Sequence, residues 1–206
     1  MEDILDVYQR PYDPDIPVVC MDESTRQLIG EVAAPIAMTE NHCELIDHEY
    51  VRNGVATIFA EVEPLGGRRH VKITQRRTAK DWAEFIREML DERYPDAKKV
   101  ILVLDNLNIH KRASLYEAFP AEEAKRLADR LELHFTPVHG SWLNICEIEL
   151  SVLGRQCLNR RIEDMATITS EVEKWQEQRN NKKATIDWQF TNEKARVKLK
   201  RLYPKL

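Results

Sequence analysis

The amino-acid sequence predicts an α/β protein with a mixed β-sheet flanked by helices, on two observations. In the first half of the chain, runs rich in β-branched residues are separated by a glycine turn, which is typical of an antiparallel hairpin. In the second half, short apolar runs alternate with segments of helical periodicity, which is typical of strands joined by helices. The chain of 206 residues, 43% of them hydrophobic, can bury one core with a helical appendage.

Three strands are predicted in the first half of the chain. The first is an apolar run that leads directly into Asp22, and the next two form a hairpin whose turn is supplied by Gly66–Gly67. Residues 24–50 are expected to form a polar loop with short extended pieces. The predicted strands are residues 18–21, 55–62 and 69–74.

Helices alternate with strands in the second half. Thr78 and Asp81 have the spacing of a helix-capping box, and apolar residues at helical spacing follow them. A β-branched run then stops abruptly at Asp105, and a later helical region is interrupted at Pro120. The predicted elements are a helix over 82–90, strands over 100–104 and 131–135 separated by helical residues up to 128, a helix over 145–158, and helical segments over 165–179 and 192–202.

This order of elements fits a ribonuclease-H-like mixed sheet with a C-terminal helical extension. A fully parallel sheet would need a helix where the Gly66–Gly67 turn lies. In the ribonuclease-H-like arrangement the first and fourth strands are neighbours, so Asp22 and Asp105 would lie side by side. Ligands of open α/β sheets bind at the carboxyl ends of the strands, where both residues are expected.

Paired carboxylates predict a divalent-metal site. Two adjacent carboxylates repel each other, but they become favourable when they share hard cations through oxygen ligands. Two such cations, roughly 4 Å apart, stabilise the attacking and leaving oxygens of a phosphoryl displacement. A third carboxylate would come from the helix after the last strand, which carries Glu147 and Glu149. These side chains project about 200° apart, and Glu149 shares its face with apolar residues, so Glu147 is the expected ligand.

Simpler structural roles remain open for each of these residues. Asp105 could only cap its strand or begin a turn, and Glu23 rather than Asp22 could be the ligand. Glu147 could be the third position of a capping box begun by Asn144. Residue spacing therefore ranks these candidates without deciding among them.

Composition argues against several classes of protein. The formal net charge of −4 argues against a free-standing DNA-binding protein, although residues 182–205 are strongly basic. That basic segment could equally be a solvated helix face. The sequence has no run of membrane-spanning length and no secretory signal, so its cysteines are expected to be reduced cytosolic thiols.

Two motifs in the second half resemble those of a known family. The segment Asp105–His110 contains Asp-Asn followed by His, and the segment 139–147 contains Leu-Asn-Ile-Cys-Glu. Together they resemble the catalytic half of DDE transposases, in particular the bacterial insertion-sequence branch of the mariner superfamily. The resemblance maps the catalytic, metal-binding triad of that family onto Asp22, Asp105 and Glu147. Further similar stretches are residues 50–54, 63–67, 155–157 and 188–191.

The resemblance implies a metal-dependent DNA endonuclease that cleaves and transfers strands during transposition. It implies Mg²⁺ as the cofactor, with Mn²⁺ as a substitute, and transposon ends and target DNA as partners. It further implies a homodimer in the active assembly and a cytoplasmic, nucleoid-associated protein without a membrane. Roles in the second shell of the metal or in DNA contact are implied for Asn106, His110, Trp142 and Asn144, whereas the role of His139 stays open.

The resemblance also divides the chain. Residues 1–160 would form the catalytic core and residues 161–206 a C-terminal helical extension, and the N-terminal helix-turn-helix region of the family is expected to be absent. Two other functions stay open: an inactive remnant that binds DNA or a full-length transposase, and a different metal-dependent nuclease or phosphatase. The Leu-Asn-x-x-Glu motif counts against the second.

Overall fold

A computed structural model describes residues 1–203 and contains a five-stranded mixed sheet with the strand order β3-β2-β1-β4-β5. The strands β1, β2 and β3 pair antiparallel, and β4 runs parallel to both β1 and β5. This architecture confirms the predicted ribonuclease-H-like mixed sheet. The strands are β1 (Val18–Glu31), β2 (Tyr50–Glu63), β3 (Arg68–Thr74), β4 (Val100–Leu104) and β5 (Leu131–Phe135).

Helices cover both faces of the sheet. The predicted capping box is confirmed, because the Thr78 hydroxyl accepts from the Asp81 N–H and the Asp81 carboxylate accepts from the Thr78 N–H. The α-helices are α1 (Glu2–Tyr8), α2 (Ala79–Glu88), α3 (Arg112–Ala118), α4 (Ala121–Asp129), α5 (Ile145–Gln156), α6 (Met165–Asn181) and α7 (Asn192–Lys198). Shorter helical turns are a π-helix over Met89–Arg93 and 3-10 helices over Ser141–Leu143 and Lys200–Leu202. Within residues 1–203, no helix is long and apolar enough to span a bilayer.

The strand β1 is longer than predicted. It continues past Asp22 to Glu31, because β2 pairs with it from Cys20 opposite Val62 to Glu31 opposite Tyr50. The prediction that the strand ends at Asp22 is therefore wrong, and so is the predicted loop over 24–31. Backbone pairing stabilises this polar stretch although its side chains give little apolar signal.

The remaining connection between β1 and β2 matches the prediction of a loop with short extended pieces. Residues 32–49 are largely exposed and contain isolated bridges between Ile36 and Leu45 and between Thr39 and His42.

Two apolar layers cover the two faces of the sheet. On one face, Cys20 of β1 belongs to a cluster with α5, and α6 contributes Val172 and Trp175 to the same cluster. On the other face, Met21 of β1 packs with residues of α2, α3 and α4. Since side chains alternate along a strand, Asp22 projects toward the α5 side and Glu23 toward the α2 side.

The C-terminal helices are part of this packing. The helix α6 packs against β3, and Ala195 of α7 is buried in the cluster that contains α5. The predicted division of the chain at residue 160 stays a prediction. The end of the predicted extension and of the basic segment, residues 204–206, lies outside the described residues.

Candidate active site

The parallel pairing of β1 and β4 places the two predicted aspartates. Val18, Val19 and Cys20 lie opposite Ile101, Leu102 and Val103. Continuing this register by two residues brings Asp22 level with Asp105, which directly follows β4. The prediction that the first and fourth strands are neighbours is confirmed. The Asp22 carboxylate accepts a hydrogen bond at Oδ1 from the Glu23 N–H at 2.8 Å.

Glu147 lies in the first turn of α5, and Asn144 fixes the start of that helix. The Asn144 side-chain oxygen accepts from the Cys146 N–H at 3.1 Å, which caps α5. Its amide nitrogen donates to the Met21 carbonyl at 2.8 Å. Asn144 is only 1% exposed. One buried side chain therefore ties the beginning of α5 to β1 beside Asp22.

Tyr8 of α1 gives the same helix end a second support. Its hydroxyl donates to the Leu143 carbonyl at 2.7 Å and accepts from the Ile145 N–H at 3.3 Å. Sequence analysis did not identify α1 or this tyrosine, because the contact joins residues that are more than 130 positions apart. The local signals for α1 are its buried apolar residues Ile4, Leu5 and Val7 and the acidic residues Glu2 and Asp3 in its first turn.

The charges of neighbouring acidic side chains affect the ionisation of Asp22. Burial raises the pKa of the Asp22 carboxyl, and the charges of Asp105, Glu23 and Glu147 raise it further, to about 7. The Glu23 N–H hydrogen bond opposes this shift without cancelling it. Thus the charges of Asp105, which follows β4, and of Glu147, in α5, both contribute to the raised pKa of Asp22 in β1.

The chemistry of this donor set suits a hard divalent cation, which prefers carboxylate oxygens. Among residues 1–203, however, no three His, Cys, Asp or Glu side chains converge closely enough to form a preformed metal cluster. Repulsion between like charges opposes a tighter cluster of carboxylates, and a cation would remove that repulsion. The residue types at this site therefore fit a divalent metal.

His110 lies between two carboxylates on the α2 side of the sheet. Its Nδ1 atom is 2.7 Å from Asp105 Oδ1, and its Nε2 atom is 2.8 Å from Glu23 Oε1. Burial opposes the charged ring, but the hydrogen bonds to Asp105 and Glu23 outweigh it and raise the His110 pKa to about 9. The hydrogen bond from His110 lowers the pKa of the Asp105 carboxyl. A protonated ring thus stabilises the Asp105 carboxylate.

Glu23 contacts His110, which distinguishes it from its neighbour Asp22 on β1. The Glu23 side chain is 1% exposed and is engaged by His110. It projects to the opposite face from Asp22, which is the side chain near Glu147. This arrangement favours Asp22 over Glu23 as the ligand.

Glu149 has a different environment from Glu147. Its carboxylate lies 3.0 Å from Arg69 Nε and 2.7 Å from Arg179 Nη2, and it is buried. The capping-box alternative for Glu147 also lacks its hydrogen bond, because the Asn144 N–H donates to the Ser141 carbonyl at 2.7 Å instead. Glu147 is therefore the acid of α5 that remains available to the site.

Comparison with known proteins identifies the family. The model of the DDE superfamily endonuclease family matches residues 17–169. The chain belongs to the DDE superfamily of endonucleases. The comparison with curated proteins found no match. The assignment to a bacterial insertion-sequence branch stays a prediction.

Solved structures share the fold of this DDE endonuclease. The Mos1 mariner paired-end complex with Mn matches with a TM-score of 0.59 and 14% identity over 89% of this chain and 54% of that chain. The Mos1 strand transfer complex matches with a TM-score of 0.57 and 11% identity over 89% of this chain and 58% of that chain. The chain thus spans little more than half the length of the Mos1 chains, and at these identities the likeness concerns the fold alone.

The two remaining predicted residues of this DDE endonuclease, Asn106 and Trp142, and His139, whose role is open, lie after β4 and between β5 and α5. The Asn106 amide donates to the Thr136 carbonyl and so holds the loop after β4 against the end of β5. Trp142 is 43% exposed, with its ring edge against Phe190 at a centroid distance of 5.9 Å. His139 is exposed and has a φ of 61°, in the left-handed region.

Proposed function

We propose that this chain is the catalytic domain of a DDE transposase, which cleaves DNA strands and transfers them during transposition. The observation that carries the proposal is the β1–β4 register, which brings Asp22 level with Asp105, together with the Asn144 hydrogen bond that ties the start of α5, with Glu147 in its first turn, to β1. These residues come from three elements, and the DDE family model covers all three positions. The likeness to the Mos1 paired-end and strand transfer complexes supports the same proposal.

In this proposal Asp22, Asp105 and Glu147 hold Mg²⁺, with Mn²⁺ as a substitute. When bound, divalent cations stabilise charge on the attacking and leaving oxygens of a phosphoryl displacement. The presence of Mn in the Mos1 paired-end complex supports this choice of metal. Three carboxylates offer only oxygen ligands, which is the preference of Mg²⁺ and Mn²⁺.

The protein's own contribution is to position the elements that carry these carboxylates. The β1–β4 pairing sets the spacing between Asp22 and Asp105, and Asn144 sets the position of Glu147 relative to β1. His110 keeps Asp105 ionised through its hydrogen bond. These contacts fix the elements that carry the ligands, which limits the backbone reorganisation required on metal binding.

DNA is the proposed partner, both as transposon ends and as target, and the proposed active assembly is a homodimer. We also propose that residues 1–160 form the catalytic core and 161–206 an extension of it. The net charge of −4 means that phosphate contacts depend on local basic groups rather than on overall charge.

Metal-dependent nicking of supercoiled DNA tests the proposed function. We expect the chain to nick DNA with Mg²⁺ or Mn²⁺ and not with EDTA, and we expect Asp22→Asn and Asp105→Asn to abolish nicking. Asp129→Asn, a substitution of an exposed acid in α4, is the matched control and should keep full activity. Nicking that persists in EDTA, or in both site variants, would contradict the proposal.

A further inference from the structure

The two oxygens of the Asp105 carboxylate have different environments. Oδ1 lies 2.7 Å from His110 Nδ1 and also accepts from the Leu107 N–H at 3.1 Å. Among residues 1–203, no hydrogen bond is formed to Oδ2. Oδ1 accepts from the Leu107 N–H, and the His110 Nδ1 atom, which lies 3.2 Å from the Asp105 carbonyl oxygen as well, forms an ion pair with Oδ1. The rotation of this carboxylate is therefore fixed, with Oδ2 left for another ligand.

Glu23 contacts the ring nitrogen of His110 that does not face Asp105. The ring is fully buried, and its second nitrogen lies 2.8 Å from Glu23 Oε1, whose side chain is 1% exposed. The Trp82 ring packs nearby, at a centroid distance of 5.8 Å. A rotation of the imidazole would break its contacts with Glu23 and with Asp105 at once. The contact between Glu23 and His110 thus determines where the donor to Asp105 points.

We propose that Glu23 and His110 form a positioning pair, which holds Asp105 Oδ1 so that Oδ2 is presented to the metal ion. Glu23 acts only through His110, and neither residue binds the metal. Outer hydrogen-bond partners of this kind orient metal ligands and affect metal affinity strongly. This inference rests on the proposed role of Asp105 as a metal ligand.

A second histidine in the chain provides a matched control. His134 of β5 lies between Asp3 Oδ2 at 2.8 Å and Glu132 Oε1 at 2.9 Å. It therefore makes the same type of contact as His110, but its carboxylates are outside the proposed triad. Because His134 is more exposed than His110, the melting temperatures of the two variants measure the structural cost of each substitution, whereas the Mn²⁺ Kd measures positioning of Asp105 and should change only at His110.

Binding of Mn²⁺ to the 206-residue chain tests the inference, by titration calorimetry and by electron paramagnetic resonance of free Mn²⁺. We expect His110→Gln and Glu23→Leu each to raise the Mn²⁺ Kd by roughly 10- to 100-fold. Glu23→Gln should bind nearly as well as the wild type, because its amide oxygen still accepts from His110. His134→Gln should leave the Kd unchanged.

A double variant tests whether Glu23 acts through His110. If it does, Glu23→Leu combined with His110→Gln should bind Mn²⁺ as weakly as His110→Gln alone, because the two residues share one effect. Additive losses would instead show two independent roles and overturn the pairing. Melting temperatures identify any unfolded variant. If Glu23→Leu does not fold, the Mn²⁺ Kd of His110→Gln is compared with those of Glu23→Gln and His134→Gln, and a loss of affinity only in His110→Gln supports the inference.

The outcomes separate this inference from the proposed function. If the wild type binds Mn²⁺ and the His110 and Glu23 variants bind it equally well, the inference of a positioning pair is wrong, whereas the proposed metal site is not contradicted. If Glu23→Gln loses as much affinity as Glu23→Leu, the hydrogen bond is not the cause and the inference fails. If the wild type itself binds no Mn²⁺, the proposed function and the inference fail together.

Discussion

The side-chain amide of Asn144 donates a hydrogen bond to the Met21 carbonyl across 2.8 Å, which joins the N-terminus of α5 to the residue before Asp22. The same side chain caps α5 through the Cys146 N–H. These two functions of Asn144 can be separated, because a serine caps a helix but is too short to reach β1.

Substitution of Asn144 should therefore affect metal binding beyond its effect on stability. Asn144→Ala should cost about 1 kcal/mol of unfolding free energy through loss of the cap, whereas Asn144→Ser should keep most of the cap. Both should weaken Mn²⁺ binding, because Glu147 is no longer tied to β1. Chemical denaturation and Mn²⁺ titration measure the two effects. Wild-type affinity in both variants would show that this hydrogen bond does not position Glu147.

Substitutions of Glu147 and Glu149 should differ in their effects, the first on nicking and the second on stability. Glu147→Gln should abolish metal-dependent nicking while the melting temperature holds or rises, because a crowded negative charge is removed. Glu149→Ala should instead destabilise the fold by roughly 3–5 kcal/mol, because it leaves the buried Arg69 and the partly buried Arg179 without their carboxylate.

Nicking assays and denaturation curves of the two glutamate variants give the comparison. Loss of nicking in a well-folded Glu149 variant, together with full activity in Glu147→Gln, would reverse the assignment of the third acid.

His70 should make the protein less stable in mild acid. Burial, followed by the charge of Arg93, lowers the His70 pKa from 6.5 to about 4. Between these values the unfolded chain binds a proton that the folded chain does not, so this contribution to stability is lost as the pH falls from 6.5 toward 4. His70→Gln cannot titrate, so its melting temperature should fall less than that of the wild type between pH 7 and roughly pH 4.5. Parallel pH dependence of the two proteins would contradict this assignment.

DNA binding by the chain should be weak and without sequence preference. The net charge is −4, and part of the basic C-terminal segment is already paired, since Arg196 binds Glu2 at 2.8 Å. We expect affinity to fall steeply with salt, as phosphate contacts do. Lys198→Glu, at an exposed position, should lower affinity for all sequences alike. Fluorescence anisotropy at several salt concentrations measures this, and tight sequence-specific binding at physiological salt would contradict the prediction.

Local patterns in the sequence predicted most of the fold. The buried run of β4, the Gly66–Gly67 hairpin and the Thr78 capping box each depend on residues near one another in the chain, and all three are confirmed. The extension of β1 to Glu31 was missed because β2 stabilises it through backbone pairing. The helix α1 was missed because it is short and is held by distant contacts.

The partners of the candidate site residues were harder to predict than the residues themselves. Glu23 is predicted only as an alternative ligand to Asp22, and His110 only through the family resemblance; they are 87 positions apart, so residue spacing gives no sign of their contact. The same holds for Glu149, whose partners Arg69 and Arg179 lie on β3 and α6. Pairing between distant side chains depends on the completed fold, which residue spacing does not describe.

The proposed metal site formed by Asp22, Asp105 and Glu147 is tested most directly by Mn²⁺ titration of Asp22→Asn at pH 8, beside the wild type. Because the Asp22 pKa is raised to about 7, ionisation of this residue at pH 8 opposes folding, so the variant should melt at the same or a higher temperature. We expect this stable variant to lose Mn²⁺ binding. Wild-type Mn²⁺ affinity in folded Asp22→Asn would contradict the proposed site.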